Sequence, residues 1–558
     1  MSRPRCLTEF APTKHRRRIT PFSRGPVTGQ IGDALHVAAE RRSNQLLITD
    51  RAADIDPGAP LTRTYAQWAE LVDEATGWLH ALGVRPWDRV AVMKANHFDI
   101  AVLAAAAARI GAVPALLSGA YGPDIVRVLL SRLEKPYVIT DGAHLRSGGL
   151  DAEAVKELTA RTVCTTAQPG RRDVVDLNSL RGAPVAAPRL RRPDEPMIAT
   201  HTSGTTGIPK LVVHSAISEL GAAVIESERW PVVGVRPSDV WAYCEPYWHE
   251  RQTHQMLSMA TVTQRMLMLS EPKNLTKMKG LLLKHRPTLV EALPNIYLYW
   301  EELARDPDRP FASVREYVNS FDAIHTRTIR TFLDASDSRM PIWLQAWSQS
   351  ENGTILIRPY LRRNVRRRGH RPPPTQMFGW TVPGFGRIRI VDPATRRKVG
   401  RGKVGLIEIK QPGRCLTYIG EHDRHTLKRD GDWWNTGDLG TLNRIGALRF
   451  VDREIDRIPS GSAVELEDVL LDRLTRLSEV IVLPVAGGAP VPVYSTHDEL
   501  PIGPDEWRSA AAGLPVLADP IHIMWDDFPR TGTWKVRRVE LRSRFLPDSR
   551  ALGTGTWT

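Results

Sequence analysis

The sequence has little cysteine and lacks a long hydrophobic run. Its four cysteines, Cys6, Cys164, Cys244 and Cys415, are scattered without the spacing of metal ligands, so we expect reduced thiols rather than a disulfide framework. No stretch is apolar for long enough to span a bilayer, and no membrane span is expected. The basic cluster at 15–18 is not followed by an apolar segment and therefore does not resemble a secretory signal. The sequence thus predicts a cytoplasmic protein.

Acidic residues are fewer than basic residues, and lysines are fewer than arginines. Arginine and lysine together number 76 against 62 acidic residues, which gives a formal net charge of +14. The densest basic segment, 362–371, is followed by three prolines and has neither an aromatic platform nor a nucleic-acid-binding motif. We therefore expect a solvated loop, and nucleic acid is not an expected partner, although a basic surface attracts anionic ligands. Most cationic residues are arginines, and Lys535 is the only lysine after Lys428.

The hydrophobic pattern predicts more than one folded unit. The chain has 558 residues, 42% of them hydrophobic, which is enough for several cores. Short apolar runs alternate with helical patterns between residues 60 and 345, and this alternation predicts parallel α/β layers; examples are Val90–Met93, Tyr137–Thr140, Leu211–Val213 and Thr288–Leu293. From about Gly384 the strands become shorter, as in a β-rich subdomain. The last hundred or so residues can form a small domain of their own.

A loop rich in hydroxyls and glycines predicts polyphosphate binding. Small side chains leave backbone N–H groups accessible to an anion, hydroxyls donate hydrogen bonds to phosphate oxygens, and a lysine adds a positive charge. The residues concerned are Thr202, Ser203, Gly204, Thr205, Thr206, Gly207 and Lys210. The loop is not a Walker motif, because Lys210 follows a proline that would interrupt a helix beginning there. We therefore expect ATP as the ligand.

The order of residues in this loop resembles the phosphate-binding loop of the adenylate-forming superfamily, which includes acyl-CoA synthetases, peptide-synthetase adenylation domains and luciferases. Further resemblances follow in the family's order, at Thr64–Tyr65, Trp347–Glu351, Thr436–Leu439, Asp452–Arg453 and Pro529–Lys535. The resemblance implies an α/β fold with a large N-terminal domain of stacked α/β sheets, a β-rich subdomain, and a small mobile α+β C-terminal domain. We place a basic extension at 1–45, the large domain at 46–452 with its β-rich part at about 384–452, and the small domain at 453–558.

The resemblance also implies roles for individual residues. The corresponding lysine of the family, here Lys535, bridges the attacking carboxylate and the α-phosphate, and a cation between two anions offsets their repulsion. Glu351 matches the family's metal-binding glutamate and is expected to bind Mg²⁺. ATP binding is assigned to the loop, with Thr206 as a catalytic hydroxyl, and to Trp347 on adenine, Ser350, Asp438 on the ribose, and Arg453. Trp347 is equally compatible with a core position.

Two departures from the family pattern fall where the acid should bind. The signature Pro246–His249 continues with Glu250 and Arg251, where a fatty-acid ligase is apolar or small. Ser320–Ala323 replaces a stretch of small residues. We expect a small or polar acid, with substrate contacts from Trp248, His249, Glu250, Ser320 and Asp322, and a catalytic role for His249. Alternatively, these charges point outward from a helix. Because His249 and His254 are five residues apart, no zinc motif is expected.

A third departure concerns the hinge between the two domains. The segment Asp452–Gly461 is one residue shorter than in relatives, with Ile455 at a position that is usually polar and Pro459 in place of a lysine. Trp534 replaces the glycine that precedes the catalytic lysine. Proline fixes φ and tryptophan fills space, so adenylation is supported while thioester formation with CoA is doubtful.

These features predict an AMP-forming ligase. An acid attacks the α-phosphate of Mg·ATP, pyrophosphate leaves, and the adenylate passes to a nucleophile. Ligation of a small, polar or aromatic carboxylic acid to CoA is the first interpretation, and the acceptor can also be an aryl amine or a carrier-bound thiol. The alternatives are an amide-forming ligase, a diazotase that adenylates nitrite for attack by an aryl amine, and a nucleotide-binding scaffold without activity.

Overall fold

The computed structural model describes residues 5–10, 28–168, 170–202, 204, 207–227, 230, 232–366, 374–381, 385–458 and 461–547. The helices are α1 (Ile31–Arg42), α2 (Tyr65–Leu82), α3 (Asp99–Arg109), α4 (Pro123–Arg132), α5 (Gly142–Ser147), α6 (Ala152–Leu158), α7 (Ala216–Ser227), α8 (Glu250–Val262), α9 (Leu275–His285), α10 (Pro294–Tyr299), α11 (Glu301–Arg305), α12 (Thr326–Ala335), α13 (His422–Leu427), α14 (Ala463–Arg473), α15 (Pro504–Ala511) and α16 (Arg538–Phe545). The basic cluster at 15–18 and residues 367–373 lie outside the described residues.

The strands cover the chain from residue 46 to residue 522. They are β1 (Leu46–Thr49), β2 (Thr62–Thr64), β3 (Arg89–Met93), β4 (Val113–Leu116), β5 (Tyr137–Thr140), β6 (Arg161–Cys164), β7 (Val174–Asp176), β8 (Pro196–His201), β9 (Leu211–Ser215), β10 (Val240–Cys244), β11 (Arg265–Met268), β12 (Leu289–Ala292), β13 (Glu316–Asn319), β14 (Ile342–Gln349), β15 (Gly353–Tyr360), β16 (Met377–Gly379), β17 (Arg387–Val391), β18 (Gly405–Lys410), β19 (Thr417–Ile419), β20 (Arg429–Asp430), β21 (Trp433–Leu442), β22 (Leu448–Arg453), β23 (Leu477–Leu483), β24 (Val491–Thr496) and β25 (Ile521–His522).

Two large, mostly parallel sheets form the body of the protein. One has the order β15-β14-β13-β12-β10-β11-β1-β2, and the other has the order β19-β9-β8-β4-β3-β5-β6-β7. Between them lies a core built from α1, α2, α3 and α8 together with the inner faces of both sheets. Helix α3 is buried from Asp99 to Ala108. From Ile100 to Ala108 its sequence is apolar and rich in alanine, as expected for a helix that is enclosed on all sides.

Helix α2 illustrates how local sequence sets the boundaries of an element. Its first turn is capped by Thr64, whose hydroxyl accepts from the backbone N–H of Gln67 while the Gln67 side chain accepts from the backbone N–H of Thr64. The helix ends at Gly83, which has a φ of 107° and thus occupies the left-handed region that favours glycine. The buried face of α2 includes Trp68 and Trp78 and packs on α3.

A smaller antiparallel sheet and a C-terminal unit complete the fold. The sheet has the order β16-β22-β21-β18-β17, with β20 paired to β21. The C-terminal unit contains α14, α15, α16 and the sheet β23-β24-β25. It docks on α12, where the Thr326 backbone donates to Asp468 at 2.9 Å and Arg327 donates to the carbonyls of Leu471 and Leu477.

The predicted fold class is confirmed, with large α/β sheets, a β-rich sheet and a smaller C-terminal domain. The domain boundaries given above remain predictions. Among the described residues, no helix combines the length and the apolar character needed to cross a membrane.

Replacing Thr64 by alanine should remove the cap of α2 and lower the free energy of unfolding by about 1 kcal/mol, because a backbone N–H in the first turn loses its acceptor. Urea unfolding followed by circular dichroism measures this change. Thr64→Ser keeps the hydroxyl and is the matched control. Equal midpoints for the alanine variant and the wild type would contradict the capping role.

Candidate functional site

A cavity of about 250 Å³ lies where the β8–β9 loop and strand β14 of the large body meet the β-rich sheet and the C-terminal unit. Residues predicted from the sequence to bind ATP, metal or acid form much of its wall. They are Thr202, Gly204, Lys210, Asp322, Trp347, Ser350, Glu351, Asp438, Arg453 and Lys535. The fold thus brings together residues that are more than 330 positions apart in the chain.

The phosphate-binding loop connects β8 to β9. It is closed by two hydrogen bonds across its base, from the Thr202 N–H to the Lys210 carbonyl and from the Lys210 N–H to the Thr202 hydroxyl, each 3.1 Å long. Gly204 and Gly207 have φ values of 67° and 144°, and the Gly207 N–H donates to the Gly204 carbonyl. Ser203, Thr205 and Thr206 lie outside the described residues.

Glu351 lies in a buried group of charges. Its Oε1 accepts a hydrogen bond of 2.5 Å from the Tyr418 hydroxyl. Burial opposes ionisation of Glu351, but Lys210 and Lys428 outweigh this effect and lower the pKa of the carboxyl. Burial lowers the pKa of Lys210 to about 7, with repulsion from Lys428 adding to the shift. Burial thus deprives the ammonium groups of Lys210 and Lys428 of the solvation that they would have in water.

Asp438 lies on β21 opposite Arg453 on β22. Its Oδ2 accepts a hydrogen bond of 3.2 Å from the Trp347 indole, and its backbone N–H donates to Thr436. Burial raises the pKa of the Asp438 carboxyl to about 6, even though Arg453 and Lys428 favour the ionised form. The Trp347 ring also stacks on Phe378, with centroids 5.6 Å apart. Trp347 thus lines the cavity while it packs against the β-rich core.

Lys535 reaches the cavity from a tight turn of the C-terminal unit. The Thr531 N–H donates to the Lys535 carbonyl at 2.9 Å, and the Trp534 carbonyl accepts from the Asn295 amide at 2.5 Å. A Cβ on Gly532 would collide with Ser118 Oγ and lie 3.0 Å from the Trp248 ring, so the turn packs closely against the body of the protein. Burial lowers the pKa of the Lys535 ammonium, while the carboxylates of Asp322, Asp438 and Glu351 oppose the shift.

Aromatic rings fill the region predicted to bind the acid. Trp248 stacks on His201 with centroids 4.7 Å apart, and Phe321 packs on His249 at 4.3 Å. His249 caps α8 by accepting from the Arg251 N–H, and its Nε2 lies 3.3 Å from the Ser350 hydroxyl. Burial lowers the pKa of the His249 imidazole well below its usual value.

Two charged residues of the acid region, Glu250 and Arg251, point inward. Glu250 and Arg251 are buried, and Arg251 forms a bidentate pair with Glu291 at 2.5 and 2.9 Å. Glu250 is turned away from the cavity toward His214 and His254. Both charges therefore have partners, as their burial requires.

Residues 320–323, which follow β13, include both buried and exposed side chains. Ser320 is buried, and its hydroxyl has no hydrogen-bond partner among the described residues. Asp322 is exposed at the cavity edge. Of the unusual hinge residues, Pro459, Ser460 and the side chain of Ile455 lie outside the described part of the chain.

Two features of the site escaped sequence reasoning. Lys428 lines the cavity beside Glu351 and Asp438, and the only signal for it was the scarcity of lysine in this half of the chain. Phe321 also lines the cavity with a φ of 74°, and Trp534 has a φ of 62°. Both residues have left-handed backbones at positions where the family pattern has small residues. An aromatic residue in place of a small one was the feature of the sequence that could have indicated this conformation.

Comparisons with known proteins agree with this geometry. A family model described as AMP-binding enzyme matches residues 37–419. The chain is 37% identical over 548 residues to 3-amino-2-hydroxy-4-methoxybenzoate diazotase of Streptomyces cremeus, covering 94% of this chain and 97% of that protein. It is 24% identical over 556 residues to 3-aminoavenalumate diazotase of a Streptomyces species, covering 88% and 91%. The structure of ATP-bound MatB from Rhodopseudomonas palustris has a TM-score of 0.75 at 22% identity, covering 93% of this chain and 99% of that one.

Proposed function

The chain belongs to the AMP-binding enzyme family and is an adenylate-forming ligase; on that premise we propose that it adenylates nitrite and transfers the nitroso group to an aromatic amine. The observation that carries the choice of acid is the filling of the acid region by aromatic side chains. Phe321 packs on His249, and Trp248 stacks on His201, so aromatic rings occupy the predicted acid region, which favours an acid of few atoms. A second cavity of about 620 Å³, lined by Trp248 and Trp534 among others, would leave room for the amine. The 37% identity to a diazotase over nearly the whole chain supports the same choice.

The first step joins nitrite to the nucleotide. A nitrite oxygen attacks the α-phosphorus of ATP, the bond from that phosphorus to the bridging oxygen breaks, and pyrophosphate leaves. Two anions must approach each other, and the Lys535 ammonium at the cavity wall is the group that would offset their repulsion. Loop residues Thr202 and Lys210 would hold the phosphates, and Asp438 would accept hydrogen bonds from the ribose.

The cavity also fits Mg²⁺ beside the phosphates. Glu351 offers a buried carboxylate whose pKa is lowered by neighbouring lysines, and ionised oxygen is the ligand that Mg²⁺ prefers. When bound, Mg²⁺ would neutralise part of the phosphate charge. Lys210 and Lys428 would supply further positive charge from the protein itself.

The second step forms the N–N bond. The amine nitrogen attacks the nitrosyl nitrogen, the bond from that nitrogen to the AMP oxygen breaks, and AMP leaves. Loss of a proton from the amine nitrogen gives the N-nitroso amine, and a proton shift to the oxygen gives the diazohydroxide. Protonation of its hydroxyl then releases water and leaves the diazonium ion. His249 is our candidate for orienting the amine, because it borders the acid region. Its Nδ1 accepts from the Arg251 N–H, so Nε2 carries the ring proton and the proton of the amine passes to water.

Ligation of a carboxylic acid to CoA, the first interpretation from the sequence, is less well supported by the same features. An acyl chain would need the space that Phe321 occupies, and Trp534 stands next to Lys535 where relatives have glycine. CoA as acceptor therefore becomes one arm of the experiment.

The test is ATP–pyrophosphate exchange with nitrite and with a panel of acetate, benzoate, anthranilate and a fatty acid. We expect exchange with nitrite, and amine-dependent release of AMP with an aryl amine but not with CoA. Nitrogen from ¹⁵N-nitrite should appear in the diazonium product by mass spectrometry. Exchange with a carboxylic acid alone and CoA-dependent AMP release would identify a CoA ligase instead, and no exchange with any acid would identify a scaffold.

Lys535→Ala should slow nitrite-dependent exchange by about 100- to 1,000-fold, because the transition state loses a preorganised cation. Lys398→Ala removes an exposed lysine and is the matched control. Comparable rates for both variants would remove Lys535 from the proposed mechanism.

Phe321→Gly should widen the range of acids. Glycine adopts a φ of 74° without strain, and loss of the ring opens the space against His249. We expect exchange with acetate or benzoate to rise at least tenfold relative to nitrite. Phe332→Leu, a change in the hydrophobic core of the body, should leave this ratio unchanged. An unaltered ratio in Phe321→Gly would show that the ring does not select the acid.

A further inference from the structure

Four buried side chains outside the cavity converge behind the acid region. His214 lies on β9, Glu219 on α7, and Glu250 and His254 on α8. Each has an exposed fraction of 2% or less. Glu250 and His254 are four residues apart and therefore share one face of the helix, unlike His249 and His254.

Ligand atoms of His214, Glu219 and Glu250 all lie within 4.8 Å of one another, and His254 adjoins both carboxylates. His254 Nε2 lies 3.2 Å from Glu219 Oε2 and 3.3 Å from Glu250 Oε1. His214 Nδ1 lies 3.6 Å from Glu219 Oε1, and His214 Nε2 lies 3.4 Å from Glu250 Oε1. A tetrahedral ion with bonds of about 2.1 Å holds its ligand atoms roughly 3.4 Å apart.

Several of these atoms have no other hydrogen-bonding partner. Both carboxylate oxygens of Glu219, Oε1 of Glu250 and Nε2 of His254 are buried without a hydrogen bond to any described residue. A buried carboxylate in this condition is costly unless something else balances its charge. Two neutral imidazoles and two carboxylates carry a charge of about −2, which one divalent cation would neutralise.

The surroundings of the two histidines fit the same arrangement. His214 Nε2 lies 2.7 Å from the Ser350 carbonyl, to which it donates, so the lone pair is on Nδ1. The Ser218 hydroxyl lies 3.1 Å from this Nδ1 and can donate to the Ser215 carbonyl instead, at 3.0 Å. Histidines that bind metals commonly donate their other N–H to a carbonyl in this way. A Cβ on Gly353 would lie 2.7 Å from His254 Cε1, so glycine there leaves room for the ring.

We propose that His214, Glu219, Glu250 and His254 bind one divalent transition-metal ion of the zinc type. All four protein ligands are buried, so the ion has a structural role and fastens α8 to β9 and α7. Helix α8 begins directly after His249, and Ser350 links His214 to the cavity wall. The ion thereby fixes the position of the acid region, independently of which acid the enzyme activates.

Metal analysis of the protein purified without a polyhistidine tag tests the proposal. After exhaustive dialysis in magnesium-free buffer, we expect about one equivalent of zinc or a related ion per chain. Replacement by Co²⁺ should give the visible absorption of a four-coordinate nitrogen and oxygen site. Removal of the ion should lower the thermal unfolding temperature, and added Zn²⁺ should restore it.

Two variants and one control localise the ion. Glu219→Gln and His254→Gln should weaken retention of the metal by at least about tenfold, a loss of the size seen when residues supporting a metal site are changed. His36→Gln removes a histidine–carboxylate pair between other helices and should retain the ion. If either ligand variant fails to fold, the cobalt spectrum of the wild type still decides.

Wild-type protein that neither carries a metal nor acquires the cobalt absorption would overturn the proposal. The four side chains would then form a buried ion-pair cluster with protonated imidazoles. A cobalt spectrum that is unchanged in Glu219→Gln would equally overturn it, because the ion would then bind elsewhere. Neither outcome bears on nitrite activation, which is tested by exchange.

Discussion

The site depends on burying positive charge that only a polyanion can balance. Lys210, Lys428 and Lys535 line one small cavity, and burial lowers the pKa of each of them. The carboxylates of Glu351 and Asp438 offset part of this cost, and in our proposal they bind the metal and the ribose. A bound triphosphate would supply the missing negative charge, so the same burial that destabilises the ammonium groups would strengthen their attraction for the nucleotide.

This constraint explains why the C-terminal unit must dock with such accuracy. Lys535 belongs to a turn that is held to the body through Asn295 and wedged at Gly532. The larger interface on α12 fixes the orientation of the unit through Asp468 and through carbonyls that accept from Arg327. In the structure the small unit thus completes the cavity, and a loss of docking would withdraw one of the cations.

Several strands and the loop at 200–210 could be predicted from the sequence, because the patterns that indicate them are local. The loop at 200–210 indicated phosphate binding from its own composition, and Tyr137–Thr140 and Leu211–Val213 are strands where alternation placed them. The sequence left open whether Glu250 and Arg251 point inward or outward, and their partners could not be predicted, since a charge on a helix gains its partners from other elements. The same reason hid the cluster around His254: a search for histidine pairs along the chain matched it with His249, whereas it lies beside Glu250 of its own helix, Glu219 of α7 and His214 of β9.

The left-handed backbones at Phe321 and Trp534 extend this argument from contacts to conformation. A residue with a Cβ pays about 1 kcal/mol or more in this region, and large aromatic side chains have no intrinsic reason to occupy it. Both residues border the acid region or the turn of Lys535, where packing of their rings can offset the strain. The family pattern has small residues at both positions, so aromatic rings occupy space here that relatives leave open, although a cavity of about 620 Å³ remains beside Trp248 and Trp534. Under our proposal, the ring of Phe321 would restrict the acid to few atoms, while the cavity beside Trp534 would admit the aromatic amine.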